Sequence, residues 1–505
     1  MSRLFAVIGG GVSGMAAARL LAGAKRLSAG PPPGAPDPSG APHPSGAPQS
    51  RRVVLFEAES RLGGKVLTGD AGEAAVDLGP DQFLRRDPAA LRWCAELGLS
   101  DLLVEPAVRR AGVFSYGAAR PLPGGLVLGI PLRPSEAVAG GAVSAAGCWR
   151  GELDRLLPGR PLTACDLGLE GGAQENGGAD EERSAGAILR ARLGDELVDR
   201  LADPLLGGIN AGRLDMLSLG TIAPGVAAAL VGHHDLLEPL SATYAPTPAS
   251  ASPFYGVAGG LGAMIERGTE ELSRLGVLAR RSTAVRSLER RDAGFGLELS
   301  NGELVEVDGV VLALPPRPAA ALLGGLSAAA GRLLGSIASA SVAVVTFGFT
   351  KGGGGQLPDL PAGWSGIVVP AVEGLLTTAL TFLSAKWPWT ARGSPLVFIR
   401  ASCGRFGDGR HELLDDTDLV AALGRELAAL TGITSAPAVC HVRRWPESFP
   451  QFAPGHRRRI GRLEEELTAH PGIAVAGALL GGIGIPACLS SGERAAAAVM
   501  SAVGS

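Results

Sequence analysis

The sequence is poor in the features that mark several large classes of protein. Six cysteines (Cys94, Cys148, Cys165, Cys403, Cys440 and Cys488) include no C-x-x-C. A chain of 505 residues can bury a large core without disulfide staples, so this usage points to a reducing compartment. Of the seven histidines only His233 and His234 are adjacent, and none stands at ligand spacing to a cysteine or another histidine, which argues against a zinc or iron centre. No run approaches 18 uninterrupted apolar residues. Basic and acidic side chains nearly cancel, 46 against 49, which excludes a polybasic nucleic-acid footprint and an acidic tail. The cytoplasm is the expected location.

What the chain has instead is glycine and proline, 75 and 37 residues, below the roughly 25–30% expected of a wholly disordered polymer. They belong in turns and loops between periodic segments. Residues 4–8 form a short apolar run and residues 12–27 carry the spacing of an amphipathic helix, so strand, glycine turn and helix follow in order. Residues 28–50, in which Pro-Ser-Gly-Ala-Pro recurs imperfectly, can contribute nothing to a core and read as a disordered surface insertion. Residues 53–57 restore a buried-strand pattern ending in an acid. Helical spacing follows over 88–99 and over 184–206, where Leu189, Leu193, Leu197 and Leu201 stand four apart, and 169–186 reads as a second solvated loop. Asn301-Gly302 between alternating runs predicts a hairpin. Further strands are expected over 310–314, 342–349, 396–401 and 473–476, the last leading through a glycine turn to a helix over 492–503.

Gly9-Gly10-Gly11-Val12-Ser13-Gly14 is G-x-G-x-x-G between a strand and a helix. There glycines permit the tight turn, and the amides of Gly11, Val12 and Ser13 approach a pyrophosphate at the positive helix end. Glu57 ends the next strand, as expected of the acid that binds the adenosine ribose, but stands well beyond the usual spacing of about 20 residues. Removing the proline-rich insertion restores that spacing. Arg61-Leu62-Gly63-Gly64-Lys65 follows at once. A strand, an acid and then R-x-G-G resembles the signature of FAD-binding two-dinucleotide-domain flavoproteins, which implies that Arg61 offers charge-assisted hydrogen bonds near phosphates, that Gly63 and Gly64 permit close approach to a flavin, and that Lys65 is either beside the flavin ring or solvated.

With these residues assembled, the chain resembles the protoporphyrinogen/coproporphyrinogen oxidase family, within the wider amine oxidase and phytoene desaturase superfamily. The resemblance spans nearly the whole chain. It includes residues 77–84 (DLGPDQFL), 202–208 (ADPLLGG), Gly259-Gly260-Leu261, the strand end at 313–316, the segment 449–456 (FPQFAPGH), in which Phe452 replaces the commoner Tyr, and the closing 477–492 (GALLGGIGIPACLSSG). It implies an α/β fold: a discontinuous Rossmann-like FAD-binding domain over 1–86, 255–315 and 441–505, a mainly helical inserted domain over 87–215, and a mixed-sheet substrate domain over 216–254 and 316–440. It also implies FAD contacts from Gly79, Val285, Trp445, Gly477, Gly484 and Ile485 besides the N-terminal residues, with Cys488 a small buried residue nearby.

The chemistry implied by the resemblance is oxidation of a porphyrinogen, FAD accepting hydride and O2 regenerating it with release of H2O2. Asp81 is expected to orient substrate or accept a proton. Arg110 in the helical segment is expected to pair with a propionate, with Arg109 nearly as good a candidate. No metal is expected. Coproporphyrinogen III is favoured over protoporphyrinogen IX. The rivals are an amine oxidase, disfavoured by the presence of only three tyrosines (Tyr116, Tyr244 and Tyr255), and a non-catalytic flavin- or porphyrin-binding protein. A homodimer, a downstream haem-pathway enzyme as partner and peripheral membrane contact are left open by the sequence.

Overall fold

The computed structural model describes residues 3–26, 51–72, 74–170, 182–244, 252–351 and 363–504. The insertion expected over 28–50 and most of the loop expected over 169–186 lie outside them.

Two sheets organise the chain. The first contains β1 (Arg3–Ile8) and β2 (Arg51–Phe56), which flank the helix α1 (Val12–Leu21) in sequence. Its order is Leu278–Arg280, β2, β1, Gly309–Leu312, Ile473–Val475, all parallel. This is the doubly wound order, in which the chain reverses direction across the sheet beside β1 and leaves a crevice at the carboxyl ends of the strands. Both faces are covered, which is why the strands are continuously apolar. Phe5, Val7, Val53 and Leu55 pack beneath α1, the helix Gly262–Arg274 and the C-terminal helix Ile485–Gly504. Ala6, Ile8, Val54 and Phe56 face the antiparallel strands 285–307 and the helices Pro316–Gly324 and Ala328–Gly335. The hairpin expected at Asn301-Gly302 is present, with Phe295 opposite Val307 and Gly302 at φ +83°.

The second sheet has seven strands in the order Val439–Pro450, Ser339–Thr350, Leu396–Cys403, Thr377–Thr381, Trp364–Val368, Arg110–Ser115, Ala118–Pro121. Only Trp364–Val368 and Arg110–Ser115 pair in parallel. One face of it packs on the helix Asp416–Thr431 through Leu419, Leu423, Leu427 and Leu430, whose spacing places them on a single stripe. A third, helical core gathers Leu189, Leu193, Leu197 and Leu201, all within 1% of full burial. That leucine row does not come from one continuous helix, because Gly194 at φ +86° separates Ala185–Leu193 from Asp195–Leu197.

Core membership corrects the domain limits expected from the sequence. Residues 110–121 lie in the span expected to be helical but form two strands of the seven-stranded sheet. Residues 219–240, expected in the substrate domain, are helices that bury Leu219, Val226, Leu230 and Leu237 in the helical core. Residues 316–337 pack on the parallel sheet, and the strand Val439–Pro450 belongs to the mixed sheet through residue 450. Which core an amphipathic segment joins depends on tertiary partners, and periodicity reports only that a face must be buried.

The C-terminal helix crosses α1 at van der Waals contact. A Cβ placed on Gly492 would lie 2.0 Å from the Ser13 carbonyl oxygen, so that crossing tolerates no side chain. Gly492→Ala is expected to destabilise the protein by about 1–3 kcal/mol, as overpacking does. In contrast, Gly208→Ala, at a helical position where a Cβ meets nothing within 4 Å, is expected to be neutral or slightly stabilising. Urea unfolding of the two variants checks this, and equal midpoints would refute the packing account.

Candidate active site

The crevice at the carboxyl ends of the parallel strands is lined by the glycine turn. Gly9 has φ +104° and a Cβ there would lie 2.3 Å from the Ala313 carbonyl oxygen; a Cβ on Gly14 would lie 1.8 Å from the Gly9 oxygen. Both positions therefore require glycine. Gly11 differs, since a Cβ there meets nothing nearer than the Gly64 Cα at 4.0 Å. That open space lies outside the first turn of α1, where Gly11 is an N-cap without a side-chain partner and the amides of Val12 and Ser13 precede any intrahelical acceptor. A dinucleotide pyrophosphate fits this cradle, as its negative charge meets unpaired amides and the positive helix end.

Glu57 sits at the end of β2, its Oε2 accepting from the Gly10 amide at 2.7 Å and its Oε1 from the Glu59 amide at 2.8 Å. These bonds leave each oxygen a further lone pair for ribose hydroxyls. The Thr283 amide donates to the Glu57 carbonyl at 2.8 Å, which brings Val285, the first residue of its strand, to the same end of the crevice. The loop after β2 folds onto the glycine turn, with the Gly63 amide donating to the Gly10 carbonyl at 2.8 Å and Gly63 and Gly64 at φ +103° and +56°. Arg61 donates to the carbonyls of Leu62, Gly64 and Val66, closing its own loop. Burial lowers its pKa, and the neighbouring Arg443 lowers it further.

Two helix N-termini meet here. Gly477, at φ +118°, donates its amide to Ser491 Oγ at 2.6 Å, and the turn that follows delivers Gly484 and Ile485 to the start of the C-terminal helix. Cys488 in its first turn is buried, which pushes its thiol pKa up, while contact with Ser13 and Lys65 opposes that rise. Lys65 is partly buried, and burial pulls its pKa down against the Cys488 charge. Gly79 belongs to the same wall, since a Cβ there would lie 2.0 Å from the Lys65 carbonyl oxygen. Trp445 lies alongside, its Nε1 donating to the Leu78 carbonyl at 3.0 Å.

Asp81 was expected to orient substrate or accept a proton, and its surroundings in the structure do not favour the second. Its carboxylate is 7% exposed and fully engaged: Oδ2 accepts from Lys386 Nζ at 2.7 Å and Trp387 Nε1 at 2.8 Å, and Oδ1 from Arg400 Nη2 at 3.3 Å. Burial alone would raise its pKa, but the two cations hold it well below the usual carboxylate range. An ionised, triply bonded carboxylate is a poor base. Arg400 also donates to the carbonyls of Asp77 and Gly79, at 3.0 and 2.8 Å. Asp77 Oδ1 accepts from Thr68 Oγ1 at 2.6 Å and the Leu261 amide at 2.9 Å, and burial pushes its pKa up to about 7.

Arg110 also departs from expectation. It opens a strand of the mixed sheet, opposite Trp364, with an exposed side chain, and is not in a helical segment. That segment does run beside the Asp81 cluster, since the Ala107 amide donates to the Lys386 carbonyl at 3.0 Å; Arg109 pairs with Glu105 at 2.8 Å. The segment 449–456 makes a corner. Gln451 Nε2 donates to the Asn210 carbonyl at 3.0 Å, and Phe452 is buried with its ring 4.8 Å from that of His456, whose pKa burial lowers to about 4. Sequence reasoning missed Lys386, Trp387, Arg400 and Arg443. A signal existed for Arg400, the only charged residue in an otherwise buried strand pattern, because a buried cation requires a buried partner.

Asp77 and Asp81 give opposite pH dependences. Folded Asp77 keeps a proton that the unfolded chain has released, so it makes stability fall as pH rises from about 4 to about 7, at up to about 1.4 kcal/mol per unit. Asp81 contributes stability that is complete above the ordinary carboxylate range, begins to be lost as pH falls through it, and is gone only well below it. Asp77→Asn, which preserves the acceptor for Thr68 and Leu261, is expected to flatten the pH 4–7 slope of urea midpoints. Asp81→Asn strands two buried cations and is expected to cost about 3–5 kcal/mol at pH 7. An unchanged slope in the first variant, or an unchanged midpoint in the second, would contradict these assignments.

Comparison with known proteins agrees with this geometry. A family model for flavin containing amine oxidoreductases matches residues 12–500. The coproporphyrinogen III oxidase of Bacillus subtilis (strain 168) is 32% identical over 451 residues, 88% of this chain and 90% of that one. The coproporphyrinogen III oxidase of Mycobacterium tuberculosis (strain ATCC 25618 / H37Rv) is 31% identical over 502 residues, 99% of this chain and 98% of that one. The crystal structure of a candidate protoporphyrinogen oxidase from Exiguobacterium sp. 255-15 superposes with a TM-score of 0.80 at 27% identity, covering 99% of both chains. The glycine cradle, the acid at the end of β2 and the two converging helix ends thus have a family to match them: the chain belongs to the flavin containing amine oxidoreductases, with FAD as its cofactor.

Proposed function

We propose that the protein oxidises coproporphyrinogen III to coproporphyrin III, with O2 as final acceptor and release of H2O2. The observation that carries this reading is the floor of the mixed sheet. Val368, Ala379, Ser402, Val344 and Arg443 lie side by side across five strands, on the face turned away from the helix Asp416–Thr431. Four of the five are partly exposed, Arg443 on the edge strand among them, so this face is not fully covered. The rung spans about 19 Å at the usual strand spacing, and its central side chains are small. A wide, flat, largely apolar floor suits the face of a macrocycle.

The relatives named above act on molecules of this class, which supports the same reading. No tyrosine lies on the rung, and the chain has only three, so the floor differs from an aromatic cage for an amine. Bound FAD supplies the hydride acceptor. The tasks left to the chain are to hold the cofactor at the crevice, keep a flat substrate parallel to the floor, and exclude bulk water. Asp81 serves these tasks at a distance, by fixing the residues 77–81 that border both cofactor and floor.

Two outcomes are expected. FAD-loaded protein incubated aerobically converts coproporphyrinogen III faster than protoporphyrinogen IX, as read by porphyrin fluorescence and stoichiometric peroxide. The reverse order would move the assignment to the two-propionate substrate, and porphyrin formation no faster than the uncatalysed rate would sink it. Glu57→Gln weakens FAD binding about 10- to 100-fold, the worth of a charged hydrogen bond, in a flavin fluorescence titration; unchanged affinity would remove Glu57 from the ribose site.

A further inference from the structure

Two consecutive arginines on the strand Val439–Pro450 have opposite fates. Arg444 points toward the helix Asp416–Thr431 and donates from all three nitrogens: Nε to Asp416 Oδ1 at 2.8 Å, Nη1 to the His411 carbonyl at 3.1 Å and Nη2 to the Leu414 carbonyl at 2.7 Å. Arg443 points the other way, toward the cofactor crevice, and among the described residues no acid or carbonyl accepts from it. Its Nε is buried and unpartnered. Its guanidinium lies over the Trp445 ring, 4.3 Å from the centroid, and Trp445 is itself pinned to the Leu78 carbonyl. Stacking of this kind fixes the guanidinium plane while leaving its edge donors free.

A second guanidinium is near enough to feel its charge. Arg61 has turned its donors to the carbonyls of its own loop, and the two like charges repel across the gap. Glu57 and Glu59 act on Arg61, yet neither pairs with Arg443. Arg443 has no acid partner among the described residues and stands within reach of the like charge of Arg61, and an unpaired buried guanidinium of this kind favours an anion. The loop carrying Arg61 rests on the glycine turn through the bond from Gly63 to Gly10, so this region adjoins the open space outside Gly11.

We propose that Arg443 is a phosphate ligand of the FAD, reaching the diphosphate from the mixed sheet while the α1 amides hold it from the parallel sheet. The cofactor thereby bridges the two sheets, and Arg443 couples its binding to their apposition. This assignment is independent of which substrate is oxidised.

The test compares FAD with riboflavin, which lacks both phosphates, in fluorescence titrations of deflavinated full-length protein. Arg443→Met is expected to raise the FAD dissociation constant about 10- to 100-fold and to reduce its dependence on salt, while leaving riboflavin affinity within about twofold. Arg443→Lys keeps the charge without the planar fork and is expected to fall between the two, and its circular dichroism should match the parent. Equal weakening of FAD and riboflavin would show that Arg443 acts only through Trp445 and overturn the proposal. So would unchanged FAD affinity, including the case in which the KM for a porphyrinogen carboxylate rises instead.

Discussion

The buried Asp81 carboxylate joins the two halves of the molecule. It extends from the segment that follows the cofactor loop, and the Lys386 ammonium, the Trp387 indole and the Arg400 guanidinium that meet it all come from the mixed-sheet side. Removing three charges from water is costly, and a buried ion cluster of this kind adds little net stability over an apolar equivalent. What it adds is geometry. Arg400 donates to Asp77 and Gly79 as well as Asp81, so one guanidinium sets the height of residues 77–81 above the sheet floor. Those residues in turn carry the Trp445 contact and abut the Lys65 backbone.

The cofactor side is governed by close backbone approach. Gly9, Gly14, Gly79 and Gly492 occupy positions where a Cβ would meet a carbonyl oxygen at 2.3 Å or less. These contacts bring the glycine turn, the loop after β2 and the C-terminal helix within reach of one extended ligand, although residues 9 and 492 are far apart in sequence. Unpaired amides at two helix starts, with Arg61 and Arg443 beyond them, make this region electropositive, which suits a ligand carrying a diphosphate. The mixed sheet offers the complementary surface: apolar and sealed toward its own helix, with small, partly exposed side chains on the opposite face.

Much of the cofactor cradle was legible because its constraints are local. G-x-G-x-x-G between strand and helix, Glu57 at the end of the next strand and Arg61 to Lys65 after it each follow from a turn or a strand end that a few neighbouring residues specify. The proline-rich insertion displaced Glu57 only in numbering. Arg110 was misplaced because residues 110–115 form a strand between the adjacent 118–121 and Trp364–Val368, and the second of these partners lies more than 250 positions away. Asp81 was recognised as important, but its partners lie about 300 residues on, and without them a carboxylate held ionised by two cations cannot be told from one that accepts protons.

The sequence alone therefore determined the cofactor class, the parallel-sheet framework and the family resemblance, because these depend on turn chemistry, burial periodicity and short motifs. Tertiary structure decided which core each amphipathic segment joins, which charged residues pair, and which do not. Arg443 and Arg444 show the difference most simply. They are chemically identical neighbours in the chain, and only the alternation of a strand between two unlike surfaces supplies one with acceptors and leaves the other facing the cofactor crevice.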